Sequence, residues 1–187
     1  MITKLGILVL GILSDGRSSF SEISLLLEEL KVQRWFPVTN STLEIACNNL
    51  LREDLIKTSV VKETDVFEIT SSGKKRLDDT IISFLDDDNL DPIAFDIAIL
   101  LMKKLGKTDW VNTTKKKLEY LESEQFELKN KILLSELKRD ISFTSLALLK
   151  HKLYLIEAEI KTVKDLIKEL NITNFNSETR IFNIKSA

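Results

Sequence analysis

The sequence predicts a mainly α-helical chain in two parts. Residues 1–85 read as a winged helix-turn-helix of three helices plus a β-hairpin wing, and residues 91–171 as a domain of long helices, with a tail at 172–187. Three observations carry this. A capping box opens a helix of regular apolar spacing near Ser19, two short β-branched runs interrupt the helical period near residue 60, and an unbroken aliphatic seam runs through the last third.

The first helix is the apolar segment 3–13, ended by Asp15-Gly16. Its core, "LGILVLGIL", has no small-residue cleavage site after it and is far shorter than the ~20 residues a membrane span needs. It therefore reads as a buried helix. "SFSE" at 19–22 is a capping box, in which Ser19 and Glu22 satisfy each other's backbone N–H. Ile23, Leu26, Leu27 and Leu30 follow at helical spacing, so the second helix runs to about Lys31, and Pro37 keeps "QRWFPV" from continuing it.

A third helix starts near Asn40 or Ser41. Leu43, Cys47, Leu50 and Leu51 face one way, while Glu44, Asn48 and Arg52 form a stripe on another face. Then the period changes. "LIKTSVV" and "DVFEIT", joined by the polar "KETD" at 62–65, read as a β-hairpin. "TSSGKKRL" opens a fourth helix through Leu85, and "DDDNLDP" at 86–92 reads as a solvated acidic connector. Its aspartates lack the glycine and terminal glutamate of a calcium loop.

From Pro92 the pattern is helical almost throughout, with helices near 92–105 and 109–140. In the last helix Leu146, Leu149, Leu153, Ile156, Ile160, Val163, Ile167 and Leu170 alternate spacings of three and four. Such a seam packs lengthwise against another helix. The partner is the preceding helix of the same chain, a second copy, or both, because Leu148, Leu155 and Leu166 add apolar surface beside the seam. Self-association is the expectation, with these eight residues as the dimerising stripe.

Composition narrows the chemistry. The chain of 187 residues is 43% hydrophobic and 30% charged, with 5 Gly and 2 Pro, as expected of a helix-rich globular protein. Its net charge of −2 gives no global positive field, and residues 1–80 alone hold 10 Lys and Arg against 12 Asp and Glu. One cysteine, Cys47, forms no internal disulfide and fits a reducing cytoplasm. One histidine, His151, flanked by Lys150 and Lys152, supplies no metal set, so neither metal nor cofactor is expected. No glycine-rich phosphate loop occurs and nothing links a nucleophile to a base, so an enzyme is not expected.

"SSFSEI", "TNSTLEIACNNLLREDLI" and "FEITSSGKKRL" carry a resemblance. The chain resembles the PadR family of bacterial transcription regulators, including its virulence-activator branch with the longer C-terminal helical region. Leu5-Gly6, Glu22-Ile23, Thr42-Leu43, Leu50, Leu55-Ile56 and Phe67-x-Ile69-Thr70-x-x-Gly73 fall at matching places. Departures stand beside them. Glu44 and Ile45 replace the family's tyrosine and proline, Asn48-Asn49 a Lys-Arg-like pair, and Asp54 the turn glycine.

The resemblance implies a homodimeric regulator that binds double-stranded DNA. On this reading Thr39, Asn40 and Ser41 donate to phosphates at the start of the third helix. Glu44, Asn48 and Asn49 face base edges, with Asn suited to adenine and Glu to cytosine. Arg52, Lys57 and Lys62 contact phosphates, together with Arg34 and the flanking Lys74, Lys75 and Arg76. The competing expectation is a winged-helix protein-interaction module that has lost DNA binding, since Glu63 and Asp65 make the wing acidic. Some family members bind small aromatic molecules in the helical region. Trp110, Phe95 and Phe126 are apolar enough to line an effector pocket but read as plain core, so no effector is assigned.

Overall fold

The computed structural model describes residues 2–86, 91–138 and 141–172. It divides into two compact units, the first holding the chain up to Gly106 and the second beginning at Lys107. The predicted acidic connector falls largely outside the described residues, as does the C-terminal tail.

The first unit contains α1 (Lys4–Leu13), α2 (Phe20–Glu29), a 3-10 turn (Val32–Arg34), α3 (Asn40–Arg52), strands β1 (Ile56–Val61) and β2 (Thr64–Ile69), α4 (Ser71–Asp86), α5 (Pro92–Leu101) and a 3-10 turn (Met102–Lys104). This is a winged helix fold. Every residue of α1 from Leu5 to Leu13 is buried. A helix apolar on all sides needs neighbours on all sides, and α1 packs against α3, α4, α5 and β2. Its Gly11 is a contact surface. A Cβ there would lie 2.4 Å from Leu101 Cδ2, so any larger residue would displace the Leu101 side chain of α5.

Two ion pairs hold the same packing. Lys4 at the start of α1 pairs with Asp91, the residue that caps α5 through the N–H groups of Ile93 and Ala94. Asp15 beyond the end of α1 pairs with Lys104 beyond the end of α5, in a site where the two side chains are 3% and 11% exposed. Burial alone raises the Asp91 pKa, but the Lys4 ammonium and the helix N–H groups outweigh it and hold the carboxyl below its ordinary value.

The capping box at Ser19 is formed as the sequence predicts. The second helix stops earlier than expected, at Glu29. Lys31 takes a left-handed conformation (φ 54°) and a 3-10 turn follows, so the chain leaves the helix before Pro37 acts. The third helix begins at Asn40 behind a second box, in which Thr39 and Thr42 cap each other.

The end of α3 is a Schellman motif. Leu55 N–H donates to the Leu50 carbonyl and Asp54 N–H to that of Leu51, while Asp54 sits in the left-handed region (φ 54°). Asp54 thus occupies the conformation that glycine ordinarily supplies. Aspartate tolerates it better than most residues because its short side chain bonds locally.

The wing is a two-stranded antiparallel ribbon in the register Ile56↔Ile69 through Val61↔Thr64. Its loop is tighter than predicted. Only Lys62 and Glu63 turn, both at positive φ (49° and 64°), the geometry of a type I′ turn built without glycine or asparagine. Ser18 bridges β2 at Phe67, exchanging both backbone hydrogen bonds at 2.9 and 3.2 Å.

The second unit is an antiparallel pair of long helices, α6 (Lys107–Lys138) and α7 (Phe143–Ile172). Cross-pairs Lys164–Glu122, Lys129–Glu157 and Lys150–Glu136 run in opposite sequence order along them and fix the register. α5, grouped by sequence with these helices, belongs instead to the first unit. Almost every residue of "PIAFDIAILL" is apolar, which leaves no polar face to betray its partner.

The junction of wing and α4 generates a test. A Cβ on Gly73 would meet the Leu55 carbonyl oxygen at 2.0 Å and Ile69 Cγ1 at 2.9 Å. Backbone cannot swing aside as a side chain can, so Gly73→Ala is expected to cost about 2–3 kcal/mol. Thermal melting should show a Tm lower by roughly 5 °C or more; an unchanged Tm would mean that α4 does not sit on this carbonyl.

Candidate nucleic-acid interface

The face of α3 turned away from the core is defined by what the core takes. Leu43, Ala46, Cys47 and Leu50 are buried. At ~100° per residue the opposite side is then Ser41, Ile45, Asn48 and Arg52, with Glu44 and Asn49 on its flanks. Ser41, Glu44, Ile45, Asn48 and Arg52 are all exposed, and Asn49 is half-buried.

At the start of α3, Thr39 and Asn40 have local work. The Thr39 hydroxyl accepts from Thr42 N–H at 3.2 Å, and Thr42 Oγ1 accepts from Thr39 N–H at 2.9 Å. Asn40 Oδ1 accepts from Ser24 Oγ on α2 at 3.2 Å, tying the two helices of the helix-turn-helix together. These side chains orient the helix. The groups at this end suited to an incoming phosphate are the first-turn backbone N–H groups and Ser41.

Further along, Arg52 Nη2 donates to Asn49 Oδ1 at 3.0 Å. Asn49 therefore steers the guanidinium, and Asn48 is the amide left pointing outward on this face. In the wing, Lys57 stands directly across from Glu68, with 3.4 Å between their charged groups. Lys62 is exposed at the turn beside Glu63. The hairpin thus carries Lys57 and Lys62 against Glu63, Asp65 and Glu68. Three exposed cations, Lys74, Lys75 and Arg76, lie on the first turns of α4, and Arg34 is exposed in the 3-10 turn after α2.

Four exposed apolar residues among those described in this unit are not singled out by sequence as surface groups: Leu25 on α2, Ile45, 60% exposed on α3, and Val60 and Val61 in β1. A helical wheel anchored on Leu43, Cys47 and Leu50 already puts Ile45 opposite the core.

Nothing here resembles a reaction centre. Burial pushes the Cys47 thiol up to about 11, so it is protonated near neutrality. His151 is exposed on α7. Among the described residues no three His, Cys, Asp or Glu side chains gather as a metal site, and no helix is long and apolar enough to cross a membrane.

The predicted dimerising stripe is partly spent inside the chain. Ile156, Ile160 and Val163 are buried in the second unit, while Leu146, Leu149, Leu153 and Ile167 are half-buried. The side chain of Leu170 lies outside the described part. The exposed large apolar residues described in this unit are Phe126, Leu133, Leu134 and Leu137 on α6 and Phe143, Leu148, Tyr154 and Leu155 on α7; Phe126, Leu133 and Leu137 form a stripe on the first, and Leu148 and Leu155 one on the second. Of the three aromatic residues considered for an effector pocket, Phe95 and Trp110 are buried, and Phe126 is 69% exposed, about 24 Å along α6 from Trp110.

No family model and no curated protein matches the chain. Among solved structures it is similar to a PadR-like transcriptional regulator from Bacillus cereus, at 20% identity and a TM-score of 0.39, over 90% of this chain and 98% of that one. It is also similar to Bacillus subtilis PadR in complex with operator DNA, at 16% identity and a TM-score of 0.39, over 89% and 98%. The same protein in complex with p-coumaric acid matches at 16% identity and a TM-score of 0.39, over 90% and 99%. These structural neighbours are PadR-family transcriptional regulators.

Proposed function

We propose that the chain is a PadR-like transcriptional regulator that binds double-stranded DNA as a homodimer in the cytoplasm. One observation carries this reading: α3, tied to α2 by the Ser24–Asn40 bond, presents a continuous exposed face, polar but for Ile45 and ending in Arg52. A helix so presented fits the major groove, where Asn48 suits adenine and Glu44 suits the amino group of cytosine. Thr39, Asn40 and Ser41 lead the helix toward phosphates. Arg34, Arg52, Lys57, Lys62 and the Lys74–Arg76 cluster supply the charge. The sequence motif Phe67-x-Ile69-Thr70-x-x-Gly73, which resembles the PadR family, adds support.

Each head offers few cations, so two heads on one duplex are needed. The exposed stripes of α6 and α7 suit that pairing, with Leu146, Leu149, Leu153 and Ile167 extending their apolar surface. A second reading, a protein-interaction module without DNA, draws its support from the Lys57–Glu68 pair and the excess of carboxylates in the wing.

Titration against mixed genomic duplexes separates the two. With about six phosphate contacts per dimer, affinity should fall roughly a thousandfold between 50 and 200 mM salt. Arg52→Ala should weaken binding and lower the salt slope by about one per head. Salt-independent absence of binding would leave the interaction module.

The wing gives a gain-of-function test. Removing the Glu68 charge releases Lys57, so Glu68→Gln should tighten binding about two- to fivefold per head. Unchanged affinity in electrophoretic shifts would mean that Lys57 does not face the duplex.

Mass in solution tests the pairing. The wild type should run at twice 21.4 kDa, and Leu137→Asp, on the exposed α6 stripe, should run as a folded monomer with weakened DNA binding. A wild-type monomer at micromolar concentration would remove the dimeric mechanism.

A further inference from the structure

Ile45 has no structural role that accounts for it. It is 60% exposed, its neighbours Ala46 and Cys47 supply the buried contacts, and a β-branched side chain is a weaker helix former than the alanine that would serve there. Yet it stands at the centre of the exposed α3 face, four residues after Ser41, three before Asn48 and seven before Arg52, with Glu44 beside it. Along α3 it is the one exposed large aliphatic residue, set between hydrogen-bonding and charged ones.

That mixture matches one kind of partner better than another. A protein docking site gathers large apolar or aromatic anchors in a patch that excludes water, and one isoleucine among Ser, Glu, Asn and Arg offers no such patch. The edge of a base pair in the major groove is itself mixed. It shows donors and acceptors together with a single apolar group, the 5-methyl of thymine. The rise from Ile45 to Asn48 along the helix is about 4.5 Å, close to the ~3.4 Å spacing of stacked base pairs, so the two side chains can address neighbouring steps.

We propose that Ile45 reads a thymine, by packing on its 5-methyl group, within the target site of α3. This rests on the DNA-binding reading above and names a residue that sets sequence preference within it. Asn48 supplies the hydrogen-bonded partner of that contact on the next step.

The test uses the full-length protein. Duplexes bound by the wild type are selected from a random library, and each thymine of the enriched site is then replaced by deoxyuridine, which deletes only the methyl group. At one thymine per half-site the wild type should lose roughly fourfold in affinity, the burial of a single methyl. Ile45→Ala should bind the thymine and uracil duplexes equally while keeping the wild-type salt slope and at least the wild-type Tm. Two results overturn the proposal and leave DNA binding standing: selected duplexes whose thymines can all become uracil without loss, or an equal loss in Ile45→Ala. Failure to bind any duplex at low salt removes the reading beneath it and the proposal together.

Discussion

The first unit depends on one backbone carbonyl, that of Leu55. It accepts from Thr70 N–H at 3.0 Å, the Thr70 hydroxyl lies 3.1 Å from it while donating to the neighbouring Asp54 carbonyl at 2.8 Å, and a Cβ on Gly73 would collide with it. Thr70 in turn caps α4 by accepting from Gly73 N–H at 3.0 Å. Leu55 is also the residue that closes the Schellman motif at the end of α3. Thus the C-terminus of the exposed helix, the base of the wing and the start of α4 meet at one atom. The motif Ile69-Thr70-x-x-Gly73 is specific because threonine must both cap and bond back, and because no side chain fits where glycine lies. Asp54 belongs to the same junction, since its left-handed turn places Leu55 there. The orientation of α3 relative to the wing is therefore set by hydrogen bonds at its foot, and by the Ser24–Asn40 bond at its head.

That placement leaves the exposed face chemically spare. Arg52 is held by Asn49 and Lys57 is opposed by Glu68, so on the proposed DNA-binding reading two of the cations on this side would meet a duplex already partnered. Exchanging such a partner for a phosphate gains less than neutralising a phosphate with an unengaged lysine. On the same reading, selectivity would rest more on contacts at base edges than on charge, and that is the weight proposed for Asn48, Glu44 and Ile45. The cations of α4 lie outside the hairpin and are not opposed by its carboxylates.

Much of this was legible in the sequence because it is written in local rules. Ser19 and Glu22 announce a capped helix, the change of period at Leu55 announces the hairpin, and the 3–4 spacing from Leu146 announces a packed helix. What stayed hidden lacked a local signature. Lys62 and Glu63 are poor residues for a two-residue turn, so the loop read as longer than it is. Lys31 ends α2 through a left-handed conformation that nothing in its chemistry demands. α5 is apolar but for Asp96, and the Gly11–Leu101 contact and the Lys4–Asp91 and Asp15–Lys104 ion pairs place it with α1. Around α3, the polar spacing of Glu44, Asn48 and Arg52 marks the stripe, and only exposure shows that Ile45 belongs to the same face.

The helical pair of the second unit shows how a seam can be right and its partner open. A run at a spacing of three and four guarantees that the helix packs lengthwise, but it is silent on what it packs against. α6 supplies the nearest answer, since a linked helix has an effective concentration no second molecule matches. Ile156, Ile160 and Val163 are accordingly buried within one chain. A two-helix hairpin has only one interface, however, and its outer faces carry Leu133, Leu137, Leu148 and Leu155 at 54%, 71%, 55% and 43% exposure. Apolar side chains repeated in that way along two helices are costly to leave in water and ordinary at a helical interface. The physical case for a second copy therefore lies in what the hairpin leaves uncovered, and the seam itself contributes by making the hairpin rigid enough to present it.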